Sequence, residues 1–272
     1  MIGPGISAAE SSRQVQDNIR QLFDLSGRVA LCTGGSSGIG RRMALALSQA
    51  GAEVVMVGRN EAALAEAMGQ IKAEGVGRGA SIAADLLNRS TLGDVVADAS
   101  KEFGAPDILI NAAGINLREP YDEISEASWQ QTLDINLSTP FFLARHCIPG
   151  MKNKGRGNII NVASLQSFRA FSNSFAYGAS KGGIAQLTRA MAEAWSPFGI
   201  VSNAIAPGFF PTELTRKVYE NPELLAHNAG MTAIGRNGEL SDLDGVTIFL
   251  ASAAANYITG QIIAVDGGFT AK

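Results

Sequence analysis

The chain has 272 residues, 46% of them hydrophobic and 17% charged, with a formal net charge of −3. That apolar content excludes bulk disorder, and one large α/β sheet with flanking helices absorbs this length without splitting. The charge gives no broad positive field for nucleic-acid phosphates, the two cysteines cannot build a disulfide framework, and no stretch offers the roughly 20 predominantly apolar residues of a membrane span.

The residues from Met1 to Ser26 lack the apolar core of a secretion signal, so the expected location is cytoplasmic. Val15, Ile19 and Leu22 fall at i, i+4 and i+7, which predicts a short amphipathic helix in an N-terminal arm of residues 1–24. Such a helix either docks loosely or packs on a neighbouring subunit. From residue 25 to residue 272 the pattern is that of one catalytic domain. Arg28 to Thr33 reads as a strand, a glycine-rich turn follows, and Arg41 to Ala50 reads as a helix stopped by Gly51. The alternation continues with a strand at Glu53 to Gly58, a helix at Glu61 to Glu74, a strand at Ala80 to Ala83, a helix at Ser90 to Phe103 and a strand at Asp107 to Asn111. A helix at Glu126 to His146, a strand at Asn158 to Ala163, a helix at Tyr177 to Trp195, a strand at Ile200 to Ile205, a helix at Ser241 to Ala253 and a strand at Ile262 to Asp266 complete it. Several strands are apolar throughout rather than alternating, as they are when helices cover both faces of a parallel sheet. The expected fold class is α/β, a single Rossmann-type doubly wound domain with a seven-stranded parallel sheet flanked by helices.

The turn Thr33-Gly34-Gly35-Ser36-Ser37-Gly38-Ile39-Gly40 lies between the first strand and the first helix of that alternation. Glycine there lets a backbone approach a pyrophosphate, and the helix start offers free N–H groups and partial positive charge. Gly35 and Gly40 have the glycine spacing of a P-loop, but Arg41-Arg42 follows instead of Lys and Ser/Thr, so a Mg²⁺-holding hydroxyl is missing. The second strand ends in Val57-Gly58-Arg59-Asn60, with no carboxylate for a ribose 2′-hydroxyl. Arg59 suits a 2′-phosphate instead, and the expected cofactor is NADP(H) over NAD(H).

Tyr177 and Lys181 stand four apart at a helix start, which puts both side chains on one face about 6 Å apart. Alone, such a pair is a surface feature of a helix. Ser164 follows the fifth strand at the carboxyl edge where open α/β sheets bind ligands, and a hydroxyl there orients a substrate oxygen. Lowering a tyrosine pKa from near 10 by about 3 units takes about 4 kcal/mol, toward which a nearby ammonium contributes. Arg118 and Gln166 lie on the loops after the fourth and fifth strands, as does Arg169. One arginine, Arg118 first, is a candidate partner for a substrate carboxylate, and the alternative for each is a surface or subunit contact. His146 and His227 show no ligand spacing with Cys or carboxylates, so no metal is expected.

The early glycine turn, the strand-end Ser164 and the Tyr177–Lys181 pair together resemble the short-chain dehydrogenase/reductase family across Leu25 to Thr270. The resemblance implies that Gly34, Ser36, Ser37, Gly38, Ile39 and Gly40 bind the dinucleotide, and that Asp85, with the backbone of Leu86, meets the adenine. Asn111-Ala112-Ala113-Gly114 stands where the family has Asn-Asn-Ala-Gly, and Pro207-Gly208 with Thr212 looks like its loop over the nicotinamide. By the same resemblance Tyr177 exchanges the proton of a small alcohol or ketone, Ser164 steadies its oxygen, Lys181 holds the nicotinamide ribose, and Asn136 holds a water. The resemblance also implies a homotetramer, with the helices from Glu126 and Tyr177 and the last strand as candidate contacts. The opening Leu22-Phe23-Asp24-Leu25-Ser26-Gly27-Arg28, with Gly58-Arg59-Asn60, is similar to gluconate 5-dehydrogenases. The competing readings are a 3-oxoacyl-carrier-protein reductase and, in another class, a dinucleotide-binding regulator that kept the fold and lost the chemistry.

Overall fold

The computed structural model describes residues 8–272, with side-chain surroundings from Gln16 onward. A helix α1 at Ala8–Phe23 precedes strand β1 at Val29–Thr33, α2 at Gly38–Gln49, β2 at Glu53–Gly58, α3 at Glu61–Glu74, β3 at Gly79–Ala83, α4 at Leu92–Phe103 and β4 at Ile108–Asn111. There follow α5 at Glu126–Leu133, α6 at Thr139–Lys154, β5 at Gly157–Val162, α7 at Phe175–Trp195 and β6 at Ile200–Pro207. The chain closes with α8 at Arg216–Tyr219, α9 at Pro222–Met231, α10 at Asp244–Ala251 and β7 at Ile262–Val265.

All seven strands run parallel in the order β3-β2-β1-β4-β5-β6-β7. The chain steps outward from β1 to β3 and returns to the other side of β1 as β4, so the order reverses between β1 and β4. A ligand crevice opens beyond the carboxyl ends of strands at such a point. On one face Met43, Leu45 and Leu47 of α2, Leu64 and Ile71 of α3 and Leu250 of α10 pack on the sheet. The other face is covered by Val95 and Ala99 of α4, Leu143, Cys147 and Met151 of α6 and Met191 of α7. Both cysteines are buried and free, and burial pushes the Cys147 thiol up to about 12.

Four differences from the sequence pattern have physical causes. The helix expected from Glu126 to His146 is interrupted by a π turn at Asp134–Ser138 and then runs on to Lys154, past Pro149. Proline removes one helical hydrogen bond, but Pro149 is exposed while Cys147, Ile148 and Met151 around it bury themselves on the sheet. The helix stops only at Gly155, with φ 63°. In the second case, α8 and α9 fill the stretch between the strand ending at Ile205 and the helix read from Ser241, where the sequence pattern assigns no element. Asn221 starts α9 by accepting the N–H groups of Glu223 (3.0 Å) and Leu224 (3.1 Å), and Pro222 fits the first turn. Thirdly, Arg28 and Asp107 lie just outside the strands assigned to them. Asp107 is fully buried at the amino end of the sheet, paired with Arg28, Lys154 (3.0 Å) and Arg156 (3.3 Å), and accepts the Val29 N–H at 2.9 Å. Finally, the helix read as Ser90 to Phe103 begins at Leu92, after a 3-10 turn at Arg89–Thr91, and the helix read as Ser241 to Ala253 is a 3-10 turn at Leu240–Leu243 followed by α10. The arm helix is present, with Ile19 and Leu22 facing solvent; the packing of Val15 lies outside the described residues. Among the described residues no helix is long and apolar enough to cross a membrane.

Candidate active site

The carboxyl ends of β1, β4 and β5 are in register, with Thr33 beside Asn111 and Asn111 beside Asn161. Asn111 donates to Asn161 Oδ1 (2.8 Å), and Asn161 donates to Thr188 Oγ1 of α7 (2.9 Å), so a buried polar chain ties the strand ends to the helix carrying Tyr177. The Thr33 hydroxyl, which the sequence reading did not single out, accepts the N–H groups of Ala112 (3.1 Å) and Ala113 (3.2 Å) and donates to the Ile110 carbonyl. It fixes the glycine turn against the Asn111–Gly114 turn. Gly34 has φ 67°, and a Cβ on it would lie 2.9 Å from Ala113 N. Only glycine permits both that conformation and that approach.

The start of α2 fits an anion. Ser37 precedes it without a side-chain cap, and its first turn holds no acidic residue, so its N–H groups and positive dipole end are left for a ligand. Ser36 borders Gly58, and Thr212 packs against Gly38 from the loop after Pro207-Gly208. Further along the carboxyl edge Arg59 and Asp85 are exposed, Asp85 accepting the Leu87 N–H (3.1 Å). The Leu86 carbonyl is already taken by Thr139 Oγ1 at 2.8 Å. Arg41 is likewise occupied, by Glu66 (2.9 Å) and Gln70 (3.0 Å), so of these two arginines Arg59 is the one left at the ribose side. The Thr212 hydroxyl is shared with Thr215 at 3.0 Å.

On the other side of the switch point Ser164 starts a 3-10 turn, accepts the Gln166 N–H at 3.2 Å and lies close enough to Tyr177 to act on its phenol. Burial pushes the Tyr177 phenol above its ordinary value, while the nearby Ser164 hydroxyl and the Arg118 charge pull the other way. Lys181 lies 5.5 Å from the centre of the Tyr177 ring and donates to the Val162 carbonyl at 2.6 Å. Burial lowers its pKa to about 8. Asn136, inside the π turn, receives the Ile115 N–H (2.9 Å), donates to the Ile115 carbonyl (2.9 Å) and lies against Gly114. Arg118, at φ 56°, reaches across to the Leu214 carbonyl (3.4 Å). Arg169 instead stacks over Phe269 at 5.2 Å.

An uncapped helix start facing a phenol and a buried amine across a sheet's switch point puts this chain in the class of NAD(P)-dependent oxidoreductases acting on CH–OH groups. Residues 34–270 match the family model described as Enoyl-(Acyl carrier protein) reductase. The chain belongs to that family, the short-chain dehydrogenases/reductases. It is 39% identical over 253 residues to the gluconate 5-dehydrogenase of Gluconobacter oxydans (strain 621H), covering 92% of this chain and 97% of that one. With the 2-dehydro-3-deoxy-D-gluconate 5-dehydrogenase of Escherichia coli (strain K12) the identity is 38%, over 93% and 100% of the two chains. The crystal structure of a gluconate 5-dehydrogenase from Burkholderia cenocepacia J2315 in complex with NADP and tartrate superposes with a TM-score of 0.88 at 35% identity, over 93% and 99%.

Proposed function

We propose that the chain interconverts a secondary alcohol of a sugar acid and the corresponding ketone with NADP(H). The convergence of Ser164 and Lys181 on Tyr177 carries this reading, and the gluconate-type relatives give the substrate class. Bound across the switch point, the nicotinamide supplies the hydride in reduction and accepts it in oxidation. Gly34, Ser36, Ser37, Gly38, Ile39 and Gly40 would hold the pyrophosphate side, Arg59 the 2′-phosphate, Asp85 and Leu86 the adenine, and Asn111, Ala112, Gly114, Pro207, Gly208 and Thr212 the nicotinamide side. Tyr177 gives its phenolic proton to the carbonyl oxygen in reduction and takes the hydroxyl proton in oxidation, while Ser164 donates a hydrogen bond to that oxygen. Lys181 holds the ribose and, as an ammonium, stabilises the phenolate that reduction leaves behind. Asn136 holds the Ile115 backbone beside a water that returns the proton from solvent. Gln166 steadies Ser164, its backbone N–H donating to the Ser164 hydroxyl.

Arg118 pairs with the substrate carboxylate in this reading. Arg118→Leu therefore raises KM for sugar acids about tenfold or more, the loss of a charge-assisted hydrogen bond, and leaves KM for neutral polyols nearly unchanged. An equal rise for both removes the assignment. Arg59→Ser weakens NADPH about five- to tenfold and NADH little, checked by nicotinamide fluorescence titration. Since Lys181 binds as the ammonium and its pKa lies near 8, its contribution to NADPH affinity is full below neutrality and is lost as pH rises through about 8; in Lys181→Met the fall at that pH disappears.

The chain acts as a cytoplasmic homotetramer in this proposal. Edge strand β7 and α7 flank an open groove of about 690 Å³ that includes Arg189, Glu193 and Gln261, a surface suited to a second subunit. Sedimentation tests the tetramer. The substrate test is a panel of sugar acids, polyols and 3-oxoacyl thioesters, each with NADP and NAD. Turnover confined to gluconate-type acids is the expected result, and turnover of thioesters alone overturns the reading.

A further inference from the structure

Ser180 sits inside the Tyr177–Lys181 spacing and is completely buried. Its hydroxyl donates to the Tyr177 carbonyl at 2.7 Å, the ordinary local bond of a helical serine. It also accepts the second amide proton of Asn136 at 3.0 Å. The other Asn136 proton and its oxygen are both spent on Ile115. A single hydroxyl therefore links the first turns of α7 to the π turn and, through Asn136, to the loop after β4. That loop closes back on the same helix, because a Cβ at Gly114 would lie 3.0 Å from Asn136 Oδ1 and 3.9 Å from the Lys181 ammonium.

We propose that Ser180 is a positioning residue whose hydroxyl fixes the rotation of the Tyr177 and Lys181 face of α7 against the Asn136–Ile115 clamp. The proposal rests on the roles given above to Tyr177 and Lys181. Without the hydroxyl, a buried Asn136 proton loses its partner, and re-satisfying it turns Asn136 or the helix. Lys181 feels any turn directly, being held at 2.6 Å on the Val162 carbonyl of the neighbouring strand. The titratable and charged groups facing the pair are few: Tyr177 on the same helix as Lys181, and Arg118 from the loop after β4, with the Ser164 hydroxyl beside them.

The test is NADPH affinity by nicotinamide fluorescence between about pH 6 and pH 10, with melting curves, for the full chain and for Ser180→Ala, Ser180→Thr and Ser180→Cys. Titration of the coenzyme's own phosphate is common to all four proteins and cancels in the ratios. Ser180→Ala weakens binding at neutral pH by about tenfold, the scale of a displacement under 1 Å in a site, and moves the alkaline fall to lower pH by about half a unit as Lys181 loses its carbonyl partner. Ser180→Thr, which keeps the hydroxyl, stays near the wild type. Ser180→Cys keeps the size with a weak hydrogen bond and falls between, so it decides the matter if the alanine variant does not fold. Unchanged affinity and an unchanged alkaline fall, with only a lower melting temperature, reduce Ser180 to a packing residue and overturn the proposal. Because the readout is coenzyme binding, a wild type inactive on every sugar acid would sink the substrate assignment and leave this result standing.

Discussion

Tyr177→Phe is expected to lower kcat in the reduction direction by about three orders of magnitude, within the ~10²–10⁴ range that a placed general acid contributes. The change deletes one oxygen and leaves Ser164, Lys181 and the whole coenzyme cradle in place, so NADPH affinity stays within about threefold and the melting temperature hardly moves. Burial raises the phenol's pKa, so Tyr177 carries its proton throughout the neutral range and the reduction rate is flat there. Oxidation needs the phenolate, so the reverse rate climbs with pH until Lys181, with its pKa near 8, gives up the ammonium that stabilises it. Initial rates in both directions check this, and a Tyr177→Phe protein within tenfold of the wild type removes Tyr177 from the chemistry.

Asp107→Ala should cost about 3–5 kcal/mol of folding stability, the usual effect of removing one partner from a buried ion cluster. Asp107 is fully buried among Arg28, Lys154 and Arg156, and it also satisfies the Val29 N–H. Its removal leaves three cations crowded at the amino end of the sheet, of which Arg28 is already pushed below its ordinary pKa by burial. A loss of that size lowers Tm by about 10 °C in a chain of this length. The candidate site is at the opposite end of the strands, so NADPH affinity of the folded variant should match the wild type. Thermal and urea unfolding measure the loss, and a change in Tm under about 2 °C would show that Lys154 and Arg156 simply turn to solvent.

Strands were readable because a parallel sheet covered on both faces demands uninterrupted apolar runs, and β2 and α3 coincide with their pattern at both ends. Asn60 marks the start of α3 by accepting the Ala63 N–H at 3.0 Å. The π turn at Asn136 has no such signal, since its cause is the contact of one amide with Ile115, 21 residues away. Arg28 and Asp107 look like strand ends because their partners lie far along the chain. In the site, the Tyr177–Lys181 pair is local and therefore legible, as is the glycine turn. The nearness of Ser164 to Tyr177 needs the end of β5 to meet α7, and the roles of Thr33 and Ser180 appear only once the hydrogen bonds of buried hydroxyls are traced. The sequence pattern places both loop arginines by the pocket and puts Arg118 first. In the fold Arg118 acts on Tyr177 while Arg169 is spent on Phe269.

The most direct test uses NADPH deuterated at its transferable position with 5-dehydro-D-gluconate. The wild type should put deuterium on the carbinol carbon of the product acid, and Tyr177→Phe almost none over the same time. Product formed without the label, or labelled equally fast by both proteins, would contradict this.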